Sequence, residues 1–188
     1  MGGKALSFAV DVSDYEQVHT AVKETSDHFG GLDGAANLAG TIGTQGFRGK
    51  GYALNVIEDK DWDWMIGVNL TGVKNSLKAE LNYVKDHASL VNIASIAGQR
   101  GTPWNAPYGT AKWGVISLTK CAAQEAGDRG IRVNAIAPSV FSISVVSGHV
   151  ADRDRLQANR GVVTQWSYRH PFSSISGQPG AGPRASHF

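Results

Sequence analysis

The sequence predicts an α/β protein built on a mainly parallel sheet, and three observations predict it. Short apolar runs with the two-residue period of strands alternate with longer segments whose apolar residues recur every three or four positions. That alternation requires crossover connections and so parallel strands. Several polar residues fall at the carboxyl ends of the apolar runs, where open parallel sheets collect their ligands. At 188 residues and 41% hydrophobic content, the chain is the size of one domain and can bury a core.

Residues 5–12 alternate, with Leu6, Phe8, Val10 and Val12 on one side, which predicts a strand ending near Asp11. Ser13 followed by Glu16 predicts a capping box. Tyr15, Val18, Val22 and Phe29 then predict a helix stopped by Gly30 and Gly31. Residues 32–38 predict a second strand, closed by the small-residue turn Asn37, Leu38, Ala39, Gly40. A glycine-rich loop over 41–57 predicts either a substrate-pocket wall or a flexible surface insertion. From Asp61 onward, Trp62, Met65, Ile66, Leu70, Val73, Leu77, Leu81 and Val84 predict one long amphipathic helix over 61–87, with Asn69 inside it. Residues 90–96 predict the third strand, and Pro103 and Pro107 lead into a helix over 108–127 that Gly127 and Gly130 end. A fourth strand over 131–137 is closed by Pro138.

Tyr108 and Lys112 stand four apart on one face of the last helix. A phenol titrates near pH 10, and an ammonium beside it would favour the phenolate and lower that value. Ser95 lies at the end of the third strand. Taken with Asp11, Val12, Asn37, Ala39, Gly40, Asn69 and the run 133–138, these residues resemble the short-chain dehydrogenase/reductase family over residues 5–138. The resemblance implies a Rossmann-like three-layer sandwich and exchange of hydride between NAD(P)(H) and a secondary alcohol or ketone. It implies that Tyr108 is the acid/base, Ser95 holds the substrate oxygen, Lys112 bonds the nicotinamide ribose and lowers the phenol's pKa, and the main-chain carbonyl of Asn69 keeps a water route for protons. Asp11 and Val12 would meet adenine, and Asn37, Ala39 and Gly40 would pass the adenosine ribose. Either NADP or NAD is expected, NADP slightly preferred. A homodimer or homotetramer through the helices over 61–87 and 108–127 is also implied.

The sequence departs from the family at both ends. No glycine-rich pyrophosphate turn precedes residue 5, so the first two strands of the family are expected to be missing; Pro179 and Pro183 argue against its last strand, and the sheet is expected to be incomplete. Residues 1–138 then form a partial dinucleotide-binding domain, and residues 139–188, rich in Ser, Gly, Arg and His, a divergent irregular tail. A catalytically inactive chain serving as an interaction or dimerisation module is the alternative. The net charge of +2, from 18 basic and 16 acidic residues, argues against nucleic acid. No membrane span, signal peptide or metal-ligand spacing is read, with His149, His170 and His187 taken as solvated. The single Cys121 is expected to be a buried structural thiol in a cytoplasmic protein. The tryptophans at 62, 64, 104 and 113 suggest either a bulky apolar substrate, of secondary metabolism, or packing in the core and interface.

Overall fold

The computed structural model describes residues 4–47 and 49–139; the expectations for the tail and its histidines lie outside them. Helix α1 covers Tyr15–Phe29, strand β1 Leu32–Asn37, helix α2 Asp59–Ile66, helix α3 Gly72–Tyr83, strand β2 Val84–Ile93, helix α4 Ala106–Glu125 and strand β3 Arg132–Ile136. The strands pair in parallel in the order β1-β2-β3, with Ala35 opposite Leu90 and Leu90 opposite Val133. The parallel α/β architecture holds.

One face of this sheet is covered. Ala35, Leu90, Val133 and Ala135 on the strands meet Val73 and Leu77 of α3 and Val115, Ala122 and Ala123 of α4 in a single apolar cluster. A polar chain crosses the same face. Glu80 of α3 accepts from the Asn37 amide at 3.1 Å, Asn37 donates also to Asn92 Oδ1 at 2.9 Å, and Asn92 donates to Thr119 of α4 at 3.0 Å. These residues fix α3 and α4 side by side, because buried amides left unpaired would oppose any other arrangement. The opposite face carries Val91, Ile93 and Ile136 half-buried, and the second helical layer of a three-layer sandwich is not among the described residues.

Several local expectations are corrected. Residues 5–12 form no strand, and Leu6 and Phe8 are exposed. Their alternation finds no ladder to join, and an unpaired segment gains nothing from strand geometry. The cap of α1 is Asp14, not Ser13: Asp14 Oδ1 accepts from Glu16 N at 2.9 Å and Gln17 N at 3.4 Å. The predicted long helix is interrupted by a π-helical turn over Gly67–Thr71, and it ends at Tyr83 rather than His87. Val84 continues the helical apolar spacing yet opens β2, which is why periodicity misplaces this boundary. Arg129 makes so abrupt a switch feasible. Its guanidinium donates to the Leu81 and Val84 carbonyls and to Asp86, satisfying acceptors that the helix end leaves unpaired. Cys121 is exposed, not buried, since it lies on the outer side of α4 between the inward-facing Thr119 and Ala122. The loop over 41–57 is tied down around Tyr52, whose hydroxyl accepts from Gln45 N at 3.0 Å and lies 3.1 Å from the Thr44 hydroxyl. No helix among the described residues is long and apolar enough to cross a membrane.

Candidate active site

Ser95 follows β2 by two residues in extended backbone. Ala94 N donates to Ile136 O at 2.8 Å and Ile96 N to Pro138 O at 3.0 Å, so Ser95 is gripped on both sides by the continuation of β3. Its hydroxyl accepts from Ala97 N at 3.2 Å. Beyond it, Gly98 lies directly against α4. A Cβ at Gly98 would come within 2.6 Å of the Lys112 carbonyl oxygen, so only glycine lets the turn carrying Ser95 approach the helix carrying Tyr108 this closely.

Tyr108 stands in the first turn of α4, just after the buried Pro107 that suits a helix start. The Ser95 hydroxyl faces its phenol closely enough to favour the ionised form, but burial outweighs this and the phenol is held above its ordinary value. One turn on, Lys112 is 3% exposed; its ammonium lies 5.6 Å from the Tyr108 ring centroid and donates to the Ile93 carbonyl at 2.8 Å. Burial brings the ammonium down to about 8. The expected lowering of the phenol's pKa by Lys112 is therefore corrected: the ammonium is turned to a carbonyl and itself poorly solvated, so its leverage on the phenol is smaller than the cost of burying a phenolate.

Asn69 is fully buried in the π-helical turn, a feature frequent at functional sites. Its side chain clamps Thr41, accepting from Thr41 N at 3.0 Å and donating to Thr41 O at 2.9 Å, and donates also to Met65 O at 2.9 Å. This holds the turn after β1 over the lysine. A Cβ on Gly40 would lie 3.0 Å from Asn69 Oδ1 and 3.7 Å from Lys112 Nζ, so the backbone there forms a shallow cradle above the ammonium.

The expected cofactor residues gather at the carboxyl end of β1. Val12, Asn37 and Ala39 line a cavity of about 260 Å³ with Leu38, Val68 and Val73. Asp11 is exposed; its Oδ1 accepts from the Ser13 amide and hydroxyl, and those bonds hold the carboxyl below its usual range. The Asn37 amide is already engaged by Glu80 and Asn92, so Asn37 ties strands and helix together. Ser95, Tyr108, Lys112, Asn69 and Gly40 thus form one cluster, and Val12, Asn37 and Ala39 form its neighbour along the sheet's carboxyl edge. Among the described residues no group of three His, Cys, Asp or Glu could hold a metal.

Sequence reasoning offered the glycine-rich loop as a pocket wall without singling out Phe47, and it missed Asn105. Phe47, from the glycine-rich loop, sets its ring edge-on to Tyr108, centroids 5.9 Å apart at 79°. Asn105, fully buried, donates to the Phe47 carbonyl at 3.2 Å. No period marks Phe47 within an irregular loop, and the contact joins residues far apart in sequence; the only available signal was an aromatic among glycines.

The family model described as enoyl-(acyl carrier protein) reductase matches residues 1–170. The chain belongs to the short-chain dehydrogenase/reductase family. It is 46% identical over 137 residues to the short-chain dehydrogenase/reductase aba4 of Botryotinia fuckeliana, covering 73% of this chain and 52% of that one. The NADP-bound structure of ElxO superposes with a TM-score of 0.67 at 33% identity, covering 77% of this chain and 58% of that one. NAD⁺-bound xylitol dehydrogenase superposes with a TM-score of 0.64 at 32% identity, covering 74% and 52%. This reductase-family chain spans about half the length of the curated relatives it matches.

Proposed function

We propose that the chain reduces a ketone to a secondary alcohol with NADPH or NADH, or runs the reverse reaction. The observation that carries this is the convergence of Ser95, Tyr108 and Lys112 at the carboxyl edge of a parallel sheet. The nicotinamide, when bound, supplies hydride to the carbonyl carbon. Tyr108 gives its hydroxyl proton to the carbonyl oxygen, and the phenolate left behind regains a proton from water. Ser95 donates to the same oxygen and orients it. A phenol held above its ordinary value by burial is protonated at neutral pH, as the proton donor of the reduction has to be. Lys112, under the cradle at Gly40, would bond the ribose hydroxyls, and the Asn69 clamp on Thr41 keeps that cradle in place. Val12 and Ala39 would pack on the adenosine half, and Asp11 would accept from adenine. NADP is favoured slightly over NAD, and relatives of each kind exist: NADP sits in ElxO and NAD⁺ in xylitol dehydrogenase. The substrate is a small molecule, met in the cytoplasm.

Tyr108→Phe is expected to abolish turnover while NADPH binding, read by fluorescence titration, and the circular dichroism spectrum stay unchanged. Unchanged turnover in that variant would remove Tyr108 from the mechanism. A second reading, a dimerising module without catalysis, draws support from Trp64 of α2 and Trp113 of α4, exposed at 45% and 53% on the two helices expected to pair copies of the chain. Failure of both NADPH and NADH to bind, together with a dimer in analytical ultracentrifugation, would favour it.

A further inference from the structure

The glycine-rich loop is fastened at three points around the cluster just described. Asn69 holds Thr41, Tyr52 holds Thr44 and Gln45, and Asn105 holds Phe47. The third fastening is made at a disadvantage. Asn105 occupies the cap position of α4, yet its side chain bonds none of the free amides of that helix. Among the described residues its buried Oδ1 has no hydrogen-bond partner, an arrangement an apolar residue would avoid. The residue before it, Trp104, sits at φ 59, a left-handed conformation unfavourable for a bulky side chain. What this strained turn does achieve is the bond from Asn105 Nδ2 to the Phe47 carbonyl, and through it the edge-on placement of the Phe47 ring against Tyr108. Phe47 is only half-buried, so it keeps accessible surface while packed edge-on to the phenol ring.

We infer that Asn105 is a positioning residue that docks Phe47 as a wall beside the Tyr108 hydroxyl, and that this wall selects ketones bearing a flat aromatic ring over small aliphatic ones. The inference deepens the proposed function and rests on Tyr108 being the proton donor. A planar ring can stack on Phe47 while its carbonyl meets Tyr108 and Ser95. A short alkyl chain cannot. The aromatic contact is worth about a tenfold preference.

The test uses the full chain with NADPH, and acetophenone and butanone as probes. Acetophenone is expected to show the higher kcat/KM. Phe47→Ala lowers the acetophenone-to-butanone ratio about tenfold, with the loss carried by KM for acetophenone rather than kcat. Asn105→Ala lowers the ratio likewise and speeds amide hydrogen exchange over residues 44–52, while exchange in the three strands stays as in the wild type. The half-buried Phe47 side chain makes Phe47→Ala a variant that folds even if Asn105→Ala does not. An unchanged ratio in Phe47→Ala, or unchanged exchange over 44–52 in a folded Asn105→Ala, overturns the inference and leaves the Tyr108 reading intact. If the wild type reduces neither ketone, the kcat/KM ratio gives no readout, and the proposed function is judged by the NADPH and NADH titrations above. Acetophenone binding, read by saturation-transfer NMR, then decides the wall: binding weakened by Phe47→Ala supports it, and absent or unchanged binding overturns it.

Discussion

Replacing Lys112 with methionine should make this protein more stable at neutral pH, although it removes a hydrogen-bonded residue from the centre of the site. The lysine is 3% exposed, and burial brings it from its ordinary 10.5 to about 8. Each pKa unit corresponds to about 1.4 kcal/mol, so housing the ammonium costs the fold about 3 kcal/mol at pH 7. Between pH 8 and 10.5 the unfolded chain binds more protons at this position than the folded one. Wild-type stability therefore rises with pH across that window, by about 2 kcal/mol from pH 7 to pH 9.5. Methionine fills a similar volume without the charge but leaves the Ile93 carbonyl without its donor, at a cost of about 1 kcal/mol. Lys112→Met should thus gain about 2 kcal/mol at pH 7, and the two proteins should converge near pH 9.5. Urea unfolding at half-unit intervals over this range measures both curves. The comparison cancels every other titrating group. A variant less stable than the wild type at pH 7, or one that keeps the wild type's rise with pH, refutes the reasoning.

Three further substitutions probe the frame around the site. Gly98→Ala drives a Cβ to within 2.6 Å of the Lys112 carbonyl oxygen, and the backbone shift that follows should cost about 1–3 kcal/mol, seen as a lower thermal midpoint. Asn69→Leu removes the clamp on Thr41 and should cost roughly 3 kcal/mol, with limited proteolysis cutting first within residues 41–57. Glu80→Gln keeps an acceptor for Asn37 and removes a carboxyl that burial holds above its ordinary 4.5. The folded chain holds that proton more tightly than the unfolded chain, so wild-type stability falls as pH rises above 4.5. The variant should lack that fall and be the more stable at pH 7; equal slopes in urea titrations would contradict the assignment.

Where side chains follow a period or a motif, the sequence carried the structure well. Val115, Ala122 and Val133 pack as their spacing requires, and Ser95, Tyr108 and Lys112 converge as a strand end followed by a helix start requires. Boundaries set by long-range contacts were not legible. Nothing near Val84 announces that Arg129, some forty residues later, will satisfy the helix end and let a strand begin there. Residues 5–12 have the pattern of a strand, but pattern supplies only one partner of a pair. The direction of the Tyr108 shift was misjudged because spacing along a helix gives the proximity of Lys112 and not the carbonyl to which its ammonium turns.

The junction at Tyr83 and Val84 has a mechanical corollary. The helix passes into the strand without a linker, with one guanidinium bolting the seam, but the pairing then slips from Leu32 opposite Val84 to Gly34 opposite Ser89 and His87 takes φ 66, so the slack lies in residues 85–88. A tilt of α3 is taken up there before it reaches the evenly paired run 89–93 and Ser95 beyond it. The Ser95 hydroxyl is thereby held by the ladder on either side of 89–93 rather than by the seam, and Arg129→Ala would free α3 without touching a single group in the cleft.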